Sequence, residues 1–195
     1  MSDGNVIRAM LILALTLVVA SLRLGELALS RHWLIRSGHD SRAEVLREPV
    51  YPFMVALHAL WLAGSLAEPL VLERPMTPWL SWPMGVLWLM AIGLKLWMFA
   101  AMGRLWNVRI VRRTPQPVVT GGPYRFIRHP NYLAVIVEIA VIPLMTGAWW
   151  TALAGSAANG IVLISRIRRE EALLFGNPAY RAAFSTKKRF IPGVF

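Results

Sequence analysis

The chain has 195 residues, of which 56% are hydrophobic and 16% charged. Soluble domains run near ~45–50% apolar and ~25% charged, so this balance excludes a disordered chain and points to a membrane protein of one domain, or at most two small ones. Cysteine is absent, which excludes disulfides, thiolate metal sites and cysteine nucleophiles, and the formal charge of +11 has to be located along the chain before it is read as a nucleic-acid signal.

An apolar stretch from Ala9 to about Leu29, crossed by Arg23 and Glu26, is the first candidate span. A membrane-crossing helix takes about 20 mainly apolar residues, and Tyr51 to Leu72 and Trp79 to Met102 meet that requirement too. Beyond a polar, Pro- and Arg-rich segment from Gly103 to Pro130, the runs Asn131 to Met145 and Ala148 to Ser165 are separated by little more than Thr146 and Gly147. They predict a tight helical hairpin whose first member is short for a full crossing. The expected fold class is therefore all-α, an integral membrane bundle of about five transmembrane helices. Arg8 ahead of an apolar run also fits a signal peptide, but a small-x-small cleavage site before a polar mature start is missing, so an uncleaved span is expected.

Charge placement is an independent test of this count. With five crossings, the segment 30–50, the segment 103–130 and everything after Ser165 share one side and carry seventeen of the 21 Lys and Arg residues, against Arg8 and Arg74 on the other. Positive residues concentrate on the cytoplasmic side, which predicts an external N-terminus and a cytoplasmic C-terminus. The net charge is then topological. Nucleic acid is not expected as a partner, because the basic residues lack a single stripe with interleaved stacking aromatics.

Ionisable groups inside the spans are costly and mark candidate sites: Arg23 and Glu26 in the first, His58 in the second, Lys95 in the third, Glu138 in the fourth. Arg23, Glu26 and Lys95 lie near the cytoplasmic ends and can snorkel. Glu138 requires a partner or a proton, and His58 fits an interhelical hydrogen bond.

The chemical signal concentrates after residue 103. Gly121, Gly122, Pro123 and Tyr124 make a turn that leads through Arg128 and His129 into a helix opened by Pro130, where its missing N–H costs nothing. Tyr132 follows one turn on. After the last span, Arg166 and Glu170 share a helical face, while Glu171 falls on the apolar stripe of Ile164, Ile167 and Leu174, where a carboxylate requires a reason. A juxtamembrane ion-pair cluster is the plain alternative. No G-x-G-x-x-G or Walker-type loop occurs, and four His without an H-E-x-x-H pair argue against a metal hydrolase, so no metal is expected.

The runs GGPYRFIRHPNY (Gly121 to Tyr132), RIRREEALLFGNPAYRAAF (Arg166 to Phe184) and RFIP (Arg189 to Pro192), with Leu105, Trp106 and Asn107 upstream, resemble the carboxy-terminal signature of the isoprenylcysteine carboxyl methyltransferase family. The segments RLGELALSRHW (Arg23 to Trp33) and YPFMVALH (Tyr51 to His58) resemble bacterial members associated with type III polyketide synthases. The resemblance implies a single membrane-embedded domain over 1–195, with N-terminal helices over 1–102 and a cofactor-binding catalytic region over 103–195. It implies S-adenosylmethionine as cofactor, in a pocket built from cytoplasmic helix ends. By that analogy His129 and Tyr132 serve the cofactor's amino-acid end or ribose, Glu170 its hydroxyls or ammonium, and Asn107, Val108 and Tyr124 the adenine side. Arg128, Arg166 and Glu171 complete the polar lining, and Lys95 and Arg109 are the candidates for holding an acceptor anion. The expected activity is O-methylation of a lipophilic small-molecule or lipid acceptor, either a prenylcysteine-like carboxylate or a long-chain alkylpyrone or alkylresorcinol hydroxyl, with membrane lipids as the surrounding partner. A phospholipid N-methyltransferase is the alternative enzyme and a membrane adaptor the non-enzymatic one.

Overall fold

The computed structural model describes residues 3–38 and 43–191; Arg42 and Pro192, which enter the sequence reading, lie outside them. The elements are α1 (Asp3–Gly38), β1 (Ala43–Val45), α2 (Tyr51–Val71), α3 (Pro78–Met102), β2 (Val111–Arg113), α4 (Pro130–Thr146), α5 (Trp149–Leu174) and α6 (Pro178–Phe184). The five expected spans correspond to α1 to α5. Of these, α1, α2 and α3 are long and apolar enough to cross a membrane by themselves, and α4 is a shorter apolar helix. The chain is an integral membrane protein of almost entirely helical architecture.

Three boundaries differ from expectation, the first being the start of α1 at Asp3, six residues ahead of Ala9. Helix α1 continues past Leu29 to Gly38, and α5 continues past Ser165 to Leu174, so Arg166, Glu170 and Glu171 ride on a rigid extension of the last long helix. Hydropathy marks where a helix leaves lipid; backbone hydrogen bonding carries it further. The short antiparallel pairing of β1 with β2, Ala43 opposite Arg113 and Val45 opposite Val111, was also not expected. Three residues per strand give no readable alternation.

Helix α4 packs on α3 and α5, and α5 also packs on α2. At the centre, Val19, Trp61, Ile139, Val141 and Ile142 form a buried cluster, and the Trp61 indole N–H donates to Ile139 O at 3.0 Å. Gly155 makes this contact possible, because a Cβ there would lie 2.8 Å from Trp61 Cδ1. Small residues at helix crossings allow such close approach in a bilayer.

Arg8 donates to Arg74 O at 2.9 Å, so the start of α1 lies level with the α2–α3 connection. Trp79 and Trp82 at the start of α3 and Trp149 and Trp150 at the start of α5 are exposed at that same end, as in an interfacial aromatic belt. At ~1.5 Å rise per residue, Arg23 and Glu26 lie roughly 22–27 Å further along α1 than Arg8, near the far edge of a ~30 Å hydrocarbon core.

There the ionisable residues of the spans meet. Arg23 reaches Glu26 (3.0 Å) and Glu138 (2.7 Å), and Lys95 reaches the same two carboxylates at 2.6 and 2.7 Å. Two cations and two anions from α1, α3 and α4 thus neutralise one another. His58 is separate from this quartet in its bonding, its Nδ1 lying 2.8 Å from Met54 O.

Candidate functional site

The site lies at the end of the bundle opposite the Trp belt, where α4 begins and α5 ends. His129 is the N-cap residue of α4, followed by Pro130 at the first helical position. The preceding turn needs Gly122 at φ 58°, and a Cβ there would meet Ala101 Cβ at 2.6 Å, so only glycine lets the loop lie against the end of α3. From the other side, the chain after α6 runs along this loop. Arg128 N–H donates to Lys188 O (2.9 Å), His129 N–H to Arg189 O (3.0 Å), and the Lys187 ammonium to Tyr124 O (2.7 Å). The amides just before α4 therefore find partners in the C-terminal strap.

Glu171 explains its place on an apolar stripe by what it gathers. It accepts from Arg189 at 2.7 and 3.1 Å, lies 3.1 Å from His129 Nε2 and pairs with Arg128 at 3.4 Å. Burial raises its pKa, but the hydrogen bonds from His129 and Arg189 and the charge of Arg128 more than reverse this, holding it at about 2. Its immediate chain neighbour behaves differently: Glu170 Oε2 accepts from the Tyr132 hydroxyl at 2.5 Å. Burial and the nearby charge of Glu170 push the Tyr124 phenol up, and Tyr180 is raised for the same two reasons. Both stay protonated; Tyr124 donates to Met102 Sδ at 2.8 Å.

A cavity of about 150 Å³, open at its mouth, is lined by Asn107, Val108, Arg109, Tyr124, Arg128, His129, Tyr132, Arg166 and Glu170 among others. The structure thus brings together most residues singled out in the sequence. Glu171 stands behind the lining and Lys95 is absent from it. Lys95 is held by Glu26 and Glu138 in the buried quartet, so the structure places it away from the cavity where an acceptor anion would have to lie. Arg109 lines the cavity but is likewise committed, to Glu48 at 3.3 Å, to Leu46 O at 3.3 Å and over the Tyr51 ring at 4.1 Å. Asn107 spends its amide on Ser30 and on Arg109 N–H (2.9 Å), which shapes the wall rather than presenting a free amide to a ligand.

Sequence reading gave no site role to Ser30 or Arg189, although they lie in the RLGELALSRHW and RFIP runs, and did not single out Glu48. Glu48 is buried and accepts from Ile110 N–H (2.9 Å), 62 positions further along the chain, and Ser30 Oγ accepts from Val108 N–H at 3.2 Å. No local pattern announces either one. The buried donors are equally telling. Trp106 Nε1, Arg113 Nη2, Arg128 Nε and Arg166 Nε are buried N–H groups without a hydrogen-bond partner among the described residues, and all four side chains line the cavity. Orphaned buried donors are rare in proteins, and their convergence on one cavity calls for an acceptor-rich ligand.

The model of the isoprenylcysteine carboxyl methyltransferase family matches residues 84–176, from within α3 to just past α5. The uncharacterized protein YpbQ of Bacillus subtilis is 33% identical over 128 residues, 65% of this chain and 75% of the relative. The chain belongs to the isoprenylcysteine carboxyl methyltransferase family. An uncharacterized protein of Haemophilus influenzae is 28% identical over 85 residues, 43% of this chain, which spans 49% of that relative's length. This is a family of membrane methyltransferases, and the matched segment contains the whole α3–α4–α5 side of the cavity. Ser30, Glu48 and Arg189 lie outside it.

Proposed function

We propose that the protein transfers a methyl group from S-adenosylmethionine to an acidic oxygen of a lipophilic acceptor, at the cytoplasmic face of the membrane. The observation that carries the cofactor reading is the set of four orphaned donors around one cavity, together with a single lining carboxylate, Glu170. Carboxylate, ribose and adenine acceptors would satisfy the donors of Trp106, Arg113, Arg128 and Arg166, and the ammonium or ribose hydroxyls would engage Glu170. When bound, the cofactor supplies a methyl carried on a sulfonium. The protein's part is positional. Tyr132 orients Glu170, Glu171 fixes Arg128 and His129, and Asn107 holds the wall at Arg109. Orientation of two reactants is worth several kcal/mol by itself, and a water-poor site favours a step that neutralises charge.

The acceptor's chemistry follows from the surroundings. Arg109, Arg113, Arg128 and Arg166 line the cavity with Glu170, and with Glu48 and Glu171 paired behind the wall the cations still exceed the carboxylates by one, a balance that favours an anionic acceptor. The membrane-embedded frame supplies the reason for a long apolar chain entering from the bilayer: a carboxylate, an alkylpyrone enol or an alkylresorcinol phenol fits both. The seventeen-to-two distribution of positive residues supports an external N-terminus and a cytoplasmic site.

Two measurements test this. Purified protein in nanodiscs is expected to bind S-adenosylhomocysteine in calorimetry, and absence of binding refutes the cofactor assignment. Mass spectrometry of lipid extracts from cells with and without the protein is expected to reveal an acidic lipid gaining one methylene. A methylated amine in its place would turn the reading to phospholipid N-methylation.

A further inference from the structure

Glu48 belongs to the cavity's architecture although it stands outside the matched segment and far in sequence from the carboxy-terminal motifs. It sits between β1 and α2, and its backbone is tied on both sides: Leu46 N–H donates to Ile110 O at 3.0 Å, and Tyr51 N–H to Glu48 O at 3.0 Å. The side chain is almost wholly buried, with 1% of its surface exposed. Burying an isolated carboxylate is expensive, so it has to be compensated by donors placed for it. Those donors all belong to the cavity wall. Oε1 accepts from Ile110 N–H (2.9 Å) and Arg109 Nε–H (3.3 Å), and Oε2 forms an ion pair with Arg166 Nη1 at 3.2 Å. Arg166 in turn donates from Nη2 to Val108 O at 2.7 Å.

One carboxylate therefore joins three things that chain connectivity keeps apart: the segment ahead of α2, the wall at 108–110, and the cytoplasmic end of α5. The pairing of β1 with β2 already fastens the first two, and apolar residues would do so without desolvating a charge. What the charge adds is an ionic hold on Arg166, whose Nη1 faces Glu48 and donates to Met54 Sδ at 3.1 Å while Nη2 donates to Val108 O, with its Nε left for whatever enters the cavity.

We propose that Glu48 is the positioning residue of the cofactor site, acting through Arg166. This rests on the cofactor reading above. Arg166 without Glu48 keeps its charge but loses its geometry, so cofactor affinity falls while the bundle remains assembled.

The test is a double-mutant cycle read by S-adenosylhomocysteine binding to the full chain in nanodiscs. Glu48→Gln preserves shape and removes the charge; it is expected to weaken binding about 10-fold to 100-fold, the range for a hydrogen-bonded charged partner. Arg166→Ala is expected to weaken it comparably, and Glu48→Gln with Arg166→Ala to bind no worse than Arg166→Ala alone, because Glu48 has nothing left to position. A residue with a merely structural role would give losses that multiply. Multiplying losses, or Glu48→Gln within twofold of wild type, overturns the proposal. Should Glu48→Gln lose its thermal transition, the cycle is run with Glu48→Asp, which keeps the charge but withdraws it by one methylene; wild-type affinity in that variant overturns the proposal equally. Absence of binding by the wild-type protein itself refutes the cofactor reading and this proposal with it, an outcome distinct from a binding wild type with an additive cycle.

Discussion

Replacing Glu171 by Gln isolates the carboxylate that ties the C-terminal strap to the mouth of α4. The side chain keeps its volume but loses the charge that holds Arg189 at 2.7 Å, His129 at 3.1 Å and Arg128 at 3.4 Å. Its pKa is about 2 in the folded protein against an ordinary 4.5. Each pH unit of displacement corresponds to about 1.4 kcal/mol, so the ionised form contributes on the order of 3 kcal/mol to folding. Hydrogen bonds to a charged group, at about 1.5–3 kcal/mol, lead to the same order of magnitude. The sign follows from the direction of the displacement: a depressed carboxylate stabilises fully above about 4.5, and that contribution disappears as pH falls toward 2. Wild type and Glu171→Gln are compared by thermal unfolding in the same detergent from neutral pH downward. At neutral pH the variant is expected to melt lower by roughly 6–12 °C, taking about 2–4 °C per kcal/mol for a chain of this size. The gap is expected to close between about pH 4.5 and pH 2, and other titrating groups cancel in the difference because both proteins carry them. A gap that stays constant across that window, or no gap at neutral pH, would refute the assignment of Glu171 as an ionised tie.

Glu138→Gln leaves Arg23 and Lys95 with one full carboxylate between them in the bundle interior, and a loss of about 3–5 kcal/mol is expected in chemical denaturation. Replacing all four members of the quartet by apolar residues of similar volume is expected to restore most of that loss, since the desolvation cost goes with the charges. Gly155→Val drives atoms into the Trp61 ring, already 2.8 Å from a bare Cβ, and is expected to destabilise by about 1–3 kcal/mol; a variant as stable as wild type would contradict the close α2–α5 crossing. A reporter fused at the C-terminus is expected to be cytoplasmic and one at the N-terminus external, and finding both on one side would defeat the five-crossing topology.

The sequence alone determined where the helices run and where the chemistry gathers. Hydropathy is a local sum, so Tyr51 to Leu72 and Trp79 to Met102 match α2 and α3 almost to the residue. The Pro123–Tyr124 turn, His129 and Pro130 are equally local, because turn and N-terminal helix preferences depend on neighbours in the chain. Glu171 was legible as an anomaly, a carboxylate on an apolar stripe, although nothing nearby in sequence named Arg189 as its partner. The tertiary structure decided which charges are spent and which remain. Lys95 and Arg109 looked available because their partners, Glu26, Glu138 and Glu48, are brought to them by helix packing and by the β1–β2 pairing. Electrostatic partnership acts over a few ångströms in space and carries no periodic trace along the chain. The availability of a charged side chain is therefore a property of the folded bundle, whereas the tendency of its segment to form a helix is written in the segment itself.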